Sequence, residues 1–371
     1  MTEHTGSRPT VVVVGGGYGG ISAAKALDDV AEVTLVDPTE AFTHTVAAWR
    51  ALVEPEWLDR IFMPYDRLLK NGRFVRDRAV TVDGRQVTLA SGARLEPDYL
   101  ILATGSSYPF PAKTDELTVD TARARFRQAH SALLDAERVL LVGAGPSGLE
   151  LAGEIKSFYP DKHVTIADVS PDILPGPFDQ ELRDELRRQL DKLGVELALG
   201  SPLRALPDAA PATLAPISIW TEAGEELTAD IWYRCFGVTP TSDYLGESMA
   251  QVRDERGYLR VDGRLRVAGQ DRVYAIGDVS DADYNMAGRA GAQAEVVAAN
   301  IKATITGDGE VGDYQPMPPV ILVPLGPEGG AGQLPGMDGI AGPELAAEYK
   351  GRNMLAERFA VLFDAEPTEG R

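Results

Sequence analysis

Two stretches of the chain repeat one pattern of apolar and polar positions. Val11-Val12-Val13-Val14 is an unbroken apolar run, and Val139-Leu140-Leu141-Val142 is another. A short run without alternation predicts a strand buried on both faces, as in a parallel sheet covered by helices. Each run leads into glycines at G-x-G-x-x-G spacing: Gly15, Gly17 and Gly20 in the first, Gly143, Gly145 and Gly148 in the second. An Ala- and Leu-rich helix follows in each case. A second apolar strand then ends in an acid, Val33-Thr34-Leu35-Val36 before Asp37 and Val164-Thr165-Ile166-Ala167 before Asp168. The repeat predicts an α/β protein with two nested, Rossmann-like dinucleotide-binding folds.

The rest of the pattern fills in around this pair. Phe74 to Leu102 is rich in β-formers and in turn pairs such as Asp83-Gly84 and Ser91-Gly92. It predicts a small antiparallel insertion returning to a strand at Tyr99–Leu102. Leu182, Leu186, Leu190 and Leu193 recur at helical spacing and predict an amphipathic helix within Phe178–Gly194. Pro316–Pro343 is broken by Pro and Gly and predicts strands and loops lying over the active site. Glu344–Phe363 fits a helix or a strand, with Gly351 in its middle. The boundaries that follow are 1–113 with 240–316 for the first, discontinuous fold and 114–239 for the inserted one. A small C-terminal α+β region takes 317–371.

Composition narrows the function more than the fold. The 371 residues, 44% hydrophobic and 25% charged, suit two to three ordinary globular domains. The single cysteine, Cys235, excludes an intrachain disulfide, a CxxC redox pair and a Cys-rich metal site, and no metal is expected. A net charge of -20 would repel a phosphate backbone, so nucleic acid is not expected as a partner. The first ten residues, MTEHTGSRPT, hold no basic-then-apolar leader, and position 2 is threonine where myristoylation needs glycine. No run approaches the roughly 18 apolar residues of a membrane span. The expected location is the cytoplasm, with at most peripheral, transient membrane contact, for a monomer or homodimer.

The glycine spacing has a physical purpose. Gly15 and Gly143 permit a tight turn, Gly17 and Gly145 let backbone approach a pyrophosphate, and Gly20 and Gly148 let helix pack on strand. The helix N-terminus then sets free N–H groups under the phosphates. Asp37 and Asp168 either accept hydrogen bonds from ribose hydroxyls or, for Asp168, cap a turn. A carboxylate at Asp168 repels a 2′-phosphate and no basic residue follows it closely, so NADH is expected in preference to NADPH. Two dinucleotide sites suit a hydride relay, one holding FAD and the other admitting NADH. Two further strand ends, Leu102-Ala103-Thr104-Gly105 and Val273-Tyr274-Ala275-Ile276-Gly277-Asp278, lie beyond the repeats. Asp278 either bonds the flavin ribityl chain or caps the helix expected from Asn285 onward.

At these residues, and at Phe42-Thr43-His44-Thr45-Val46-Ala47-Ala48-Trp49-Arg50-Ala51, the sequence resembles the pyridine nucleotide–disulfide oxidoreductase superfamily. The resemblance spans nearly the whole chain and is narrower still to the apoptosis-inducing-factor-like, ferroptosis-suppressor branch. It implies tightly bound, non-covalent FAD in the first fold, NAD(P)H in the inserted fold and reduction of a quinone, akin to type II NADH dehydrogenases. It also implies that Tyr18, Gly19, Pro38, His44, Arg50, Val80, Ala103, Thr104, Gly105, Lys113, Gly277, Met286 and Ala287 join Gly15, Gly17, Gly20, Asp37 and Asp278 around FAD. Ser147, Glu150 and Gly237 would join Gly143, Gly145, Gly148 and Asp168 around NADH. Glu150 and Lys350 are the implied catalytic residues, facing the nicotinamide and the quinone. His44 is equally readable as a packing residue, and Lys350 as a surface lysine. Phe236 departs from the threonine usual before Gly237, and the last 28 residues match weakly.

The expected activity is two-electron transfer from NADH through FAD to a quinone, without a redox-active disulfide. Two readings stay beside it: a reductase of ferredoxin or rubredoxin type, and an NADH-responsive signalling flavoprotein.

Overall fold

The computed structural model describes residues 8–364. Residues 1–7, which hold the position read for lipidation and most of the stretch read for a leader, fall outside that range.

The first apolar run forms the central strand, Thr10–Val14, of a five-stranded parallel sheet. On one side it pairs with Glu32–Asp37, which pairs in turn with Arg73–Arg76; on the other it pairs with Tyr99–Leu102, which is followed by Val273–Ala275. Because the chain turns both ways from Thr10–Val14, the strand order reverses between it and Tyr99–Leu102, where a crevice opens beyond the strand ends. Arg73–Arg76 corrects one expectation. It adds in parallel to the main sheet, and the antiparallel insertion is confined to Ala79–Asp83, Gln86–Leu89 and Arg94–Leu95. The half-buried pattern of Arg-Phe-Val-Arg marks a sheet edge, which alternation alone does not assign to one sheet or another.

The chain leaves this sheet after Leu102 and returns at Thr239. The two crossings pair antiparallel, Ser106–Ser107 with Thr239–Pro240. Thr104 Oγ1 donates to the Thr241 carbonyl at 2.6 Å, and Thr241 N–H to the Gly105 carbonyl at 2.9 Å. Between the crossings lies the second parallel sheet, in the order Val195–Leu199, His163–Asp168, Arg138–Val142 and Ile231–Arg234. The central strand again turns both ways, so the two glycine loops sit at equivalent switch points. The amphipathic helix appears as Gln180–Leu193, ended by Gly194 in the left-handed region at φ 71°.

The remaining segment resolves as a hairpin followed by short helical turns. Ile321–Pro324 pairs with Gly330–Gln333, and the helical pieces are Pro343–Ala346, a π-helical turn Ala347–Gly351, and Ala356–Ala360 running into Val361–Phe363. Met354 and Leu355 break the helix at φ 49° and 62°. The hairpin buries Ile321, Val323 and Leu325 in one apolar core with Leu149 and Ile155 of the second glycine-loop helix and Trp49 and Leu52 of the first fold. Burying such side chains stabilises the packing by roughly 1.5–3 kcal/mol each. Among the described residues, no helix is long and apolar enough to cross a membrane.

Candidate functional site

The two glycine loops are superposable in their sterics. Gly15 has φ 105° and Gly143 φ 117°, a region that costs a side chain dearly. A Cβ on Gly20 would overlap the Gly15 carbonyl oxygen, and one on Gly148 would overlap that of Gly143. Those four glycines serve the fold itself. Gly17 and Gly145 differ, because a Cβ on either would meet nothing within 4 Å. Each is the N-cap of its helix, Tyr18–Leu27 or Pro146–Phe158, with no side-chain cap and no acid in the first turn. Open space at the glycine and unsatisfied N–H groups beside it fit the diphosphate of a dinucleotide at each loop.

Asp37 and Asp168 are also equivalent. Asp37 Oδ2 accepts from Gly16 N–H and Asp168 Oδ2 from Ala144 N–H, both at 2.6 Å, so each carboxylate pins the turn that precedes its helix. Their second oxygens accept from Thr39 N–H at 2.8 Å and Ser170 N–H at 2.7 Å. Both carboxylates remain half-buried at the strand ends, with lone pairs to spare for a ribose. Pro38 follows at the same rim, and Asp77 N–H donates to the Asp37 carbonyl. Val80, three residues on, is 45% exposed in the antiparallel insertion.

Lys113, Ser106 and Asp278 meet beyond the ends of Tyr99–Leu102 and Val273–Ala275. Lys113 Nζ donates to the Ser106 carbonyl and to Ser106 Oγ, both at 2.7 Å, and lies 3.3 Å from Asp278 Oδ2. Ser106 Oγ donates to the same Asp278 oxygen at 2.6 Å. Asp278 thus belongs to a polar cluster and makes no cap to the following helix. That helix begins at Ala287 with Met286 as its N-cap, again without a side-chain cap. Ala103 and Thr104 close the same crevice, Ala103 N–H donating to the Val14 carbonyl and Thr104 Oγ1 lying 3.0 Å from the Tyr244 hydroxyl. Gly19 packs its open face on Ile276, which brings the first loop against the Gly277 turn.

Sequence reasoning missed three members of this region. Ser106 directly follows Gly105. Buried Gln293 accepts Gly277 N–H at 2.6 Å and was readable as an isolated polar residue in an Ala- and Val-rich helix. Asp283 holds Arg289 in the first helical turn at 2.5 Å, where the helix dipole disfavours a cation.

The two implied catalytic residues are brought together. Lys350 Nζ lies 2.7 Å from Glu150 Oε1 and also donates to the Leu322 carbonyl at 3.3 Å. Burial raises the Glu150 carboxyl above its ordinary value, against the pull of the Lys350 charge. Lys350 projects from the π-helical turn, a local irregularity that frequently accompanies functional sites.

Arg50 and His44 are both engaged by contacts within the chain, and His44 takes the packing position that was one of its two readings. The Arg50 guanidinium forks onto Glu154 at 2.5 and 2.9 Å and donates to the Gly351 carbonyl at 2.9 Å. Trp57 and Phe158 flank it. Its bonds tie three parts of the chain together and none reaches the first glycine loop. His44 is fully buried, with Nε2 2.8 Å from the Met354 carbonyl and Nδ1 3.1 Å from the Tyr18 hydroxyl. A proton on Nε2 satisfies both contacts, leaving Nδ1 to accept from Tyr18. Desolvation pushes the imidazole down to about 4, so it is neutral. Tyr18 also accepts from Val46 N–H at 3.0 Å, which turns its hydroxyl into the helix-to-loop junction.

At the second loop, Gly237 has φ 94° and Ser147 lies beside Tyr108, whose phenol burial pushes up to about 12. Phe236 is exposed at the rim and stacks on Arg234. Cys235 is buried, and its carbonyl oxygen would lie 2.7 Å from a Cβ on Gly143.

A family model described as pyridine nucleotide-disulphide oxidoreductase matches residues 9–296. The chain belongs to this family. It is an oxidoreductase of the apoptosis-inducing-factor-like, ferroptosis-suppressor branch. The chain is similar to ferroptosis suppressor protein 1 of Mus musculus, 32% identical over 332 residues covering 88% of each chain. It is also similar to apoptosis-inducing factor homolog B of Dictyostelium discoideum, 30% identical over 351 residues, 89% of this chain and 90% of that one. Among solved structures it resembles NDH2 from Plasmodium falciparum in complex with NADH, at TM-score 0.76 and 14% identity, covering 96% of this chain and 98% of that one. The sulfide:quinone oxidoreductase from Aquifex aeolicus aligns at TM-score 0.75 and 17% identity, covering 96% and 91%. The two nested Rossmann-like folds are therefore the family's fold.

Proposed function

We propose that the chain is an FAD-dependent NADH:quinone oxidoreductase that works without a redox-active disulfide. The observation that carries the reading is the pairing of two open, uncapped glycine loops with a lone, buried cysteine. Cys235 lies against the second loop with burial raising its thiol, and no second cysteine exists to form a dithiol. Disulfide chemistry is thereby excluded, and a diffusible acceptor takes its place. The names of two structural neighbours, one bound to NADH and one acting on a quinone, support that choice.

In this reading residues 1–113 and 240–316 hold FAD, 114–239 hold NADH, and 317–371 form the C-terminal region. Bound FAD would supply a two-electron carrier between the nicotinamide and the acceptor. The chain's own part is positional and electrostatic. Gly17, Asp37 and the Lys113–Ser106–Asp278 cluster orient the first dinucleotide. The uncapped N-terminus at Met286 and Ala287 offers its partial positive charge to an electron-rich group. Gly145, Ser147 and Asp168 orient the second, with Asp168 favouring NADH over NADPH. Glu150 holds Lys350 in place, and Lys350 presents a cation and a proton on the acceptor's side. A lipid-soluble quinone would require transient contact with a membrane surface. Small iron–sulfur acceptors present acidic faces, which a chain at -20 repels.

The test is to reduce the purified yellow protein anaerobically with NADH and then add a short-chain quinone, a ferredoxin or nothing. Rapid reoxidation by the quinone is expected. Reoxidation by ferredoxin alone would overturn the acceptor, and a long-lived reduced state indifferent to both would point to signalling.

A further inference from the structure

Acids outnumber bases 56 to 36 in this chain, yet among the described residues one half-buried arginine beside the second glycine loop has no acid to bind. Arg234 ends the strand Ile231–Arg234, paired with Val142 immediately before Gly143. Among the described residues it makes no ion pair, and its Nε is buried without a hydrogen-bond partner. The guanidinium lies over Gly237, where a Cβ would stand 2.8 Å from Nη2. Phe236 stacks on it, 4.6 Å from Cζ to the ring centroid. This leaves a fork of donors without an acid partner at the end of Ile231–Arg234, level with Val142 just before Gly143. Close by is Tyr108, whose phenol feels the Arg234 charge and is itself bonded to Ser147 in the first turn of the uncapped helix.

We propose that Arg234 grips the diphosphate of NADH, opposite the N–H groups of the Gly145 helix terminus. The proposal rests on the reading of the second fold as the NADH site. A planar guanidinium donates two parallel hydrogen bonds to phosphate oxygens, which a lysine in the same place cannot reproduce. Phe236, where the family pattern places threonine, becomes the platform that holds this fork in register. The exposed aromatic at the rim and the unpaired cation are then two halves of one device. Gly237 is required under the guanidinium for the same reason, since any side chain there would displace it.

The test uses the FAD-loaded protein and calorimetric binding of ADP-ribose, NAD and adenosine to wild type, Arg234→Gln and Arg234→Lys. The affinities of Arg234→Gln for ADP-ribose and NAD should fall together, each by about tenfold, the scale of a charge-assisted hydrogen bond. Adenosine, which lacks phosphate, should bind unchanged. Arg234→Lys should recover part of the loss, and its FAD content and melting temperature serve as the folding control for the pair. An ADP-ribose affinity within twofold of wild type in Arg234→Gln would overturn the proposal, as would an equal loss for adenosine. A wild-type chain that binds neither ADP-ribose nor NADH would sink the reading of the second fold itself. Normal NADH binding with no quinone activity would sink only the acceptor and leave Arg234 where it stands.

Discussion

The Lys350 ammonium meets the Glu150 carboxylate at 2.7 Å across 200 positions of sequence. Both side chains are largely buried, at 15% and 10% exposure, so the pair locks the C-terminal π-helical turn onto the helix of the second glycine loop. Its energetics have a definite pH sign. Burial raises the Glu150 carboxyl in the folded chain above 4.5, so the folded state holds that proton more tightly than the unfolded state does. The stability linked to that proton is fully present below 4.5 and is lost as pH rises through the folded value. Glu150→Gln lacks this loss. The difference in melting temperature, variant minus wild type, should therefore climb as pH is raised from 4 to 7. A flat difference would show that Glu150 titrates normally.

His44 carries the opposite sign. Its imidazole is held at about 4 in the fold against 6.5 unfolded, chiefly by desolvation. Its contribution is present above 6.5 and is lost as pH falls through about 4, on the order of 3 kcal/mol in all. His44→Gln should be less stable than wild type at pH 7, having lost shape and one of its two bonds. Its melting temperature should nonetheless fall less steeply between pH 6.5 and 4. Parallel melting curves against pH would remove His44 as the acid-sensitive tie between Tyr18 and Met354.

These two residues also show where reading the sequence stops. Gly15, Gly20, Gly143 and Gly148 were legible because each answers a local steric demand that only glycine meets. Asp37 and Asp168 were legible because a strand end fixes where they stand. Lys350 on Glu150, Arg50 on Glu154 and His44 on Met354 are contacts over 200, 104 and 310 positions, and no local pattern encodes them. The resemblance named the residues without saying which would meet. Arg73–Arg76 was misassigned for a related reason, since an edge strand and an inserted hairpin show the same half-buried alternation.

Arg50 and Glu154 are 3% and 1% exposed, and the Arg50 fork is filled by Glu154 and Gly351. Removing one partner strands the other, which typically costs about 3–5 kcal/mol. Arg50→Leu should lower the melting temperature sharply. Arg50→Leu combined with Glu154→Leu should regain much of it, because no charge then stays buried alone. At a temperature where it is folded, Arg50→Leu should still hold one FAD per chain. Loss of FAD without loss of stability would place Arg50 in the cofactor site.

In the proposed reading Asp168 has two duties, and they can be separated. Its Oδ2 anchors Ala144 N–H, and the carboxylate stays half-buried at the strand end. Asp168→Asn keeps a carbonyl oxygen for the anchor and removes the charge. The preference for NADH over NADPH, measured as a ratio of kcat/KM, should fall about tenfold or more, with the melting temperature nearly unchanged. Asp168→Ala should lose both. An unchanged ratio in Asp168→Asn would mean that the carboxylate only holds the loop.

Gly17 and Gly20 test whether the first loop was built for a ligand or for the fold. A Cβ on Gly20 overlaps the Gly15 carbonyl, so Gly20→Ala must push helix from strand, and the chain should fail to fold stably. A Cβ on Gly17 touches nothing, and its φ of -75° suits alanine, so Gly17→Ala should fold with a stability within about 1 kcal/mol of wild type. The new methyl would nonetheless stand where a diphosphate must approach the helix N-terminus. Gly17→Ala should therefore purify colourless or bleached, and absorbance near the flavin band per folded chain measures the loss directly. Gly145→Ala should behave the same way toward NADH while keeping its FAD, because its loop is equally open and belongs to the other fold. A yellow Gly17→Ala with full flavin content would show that the space above Gly17 is not where the first dinucleotide lies.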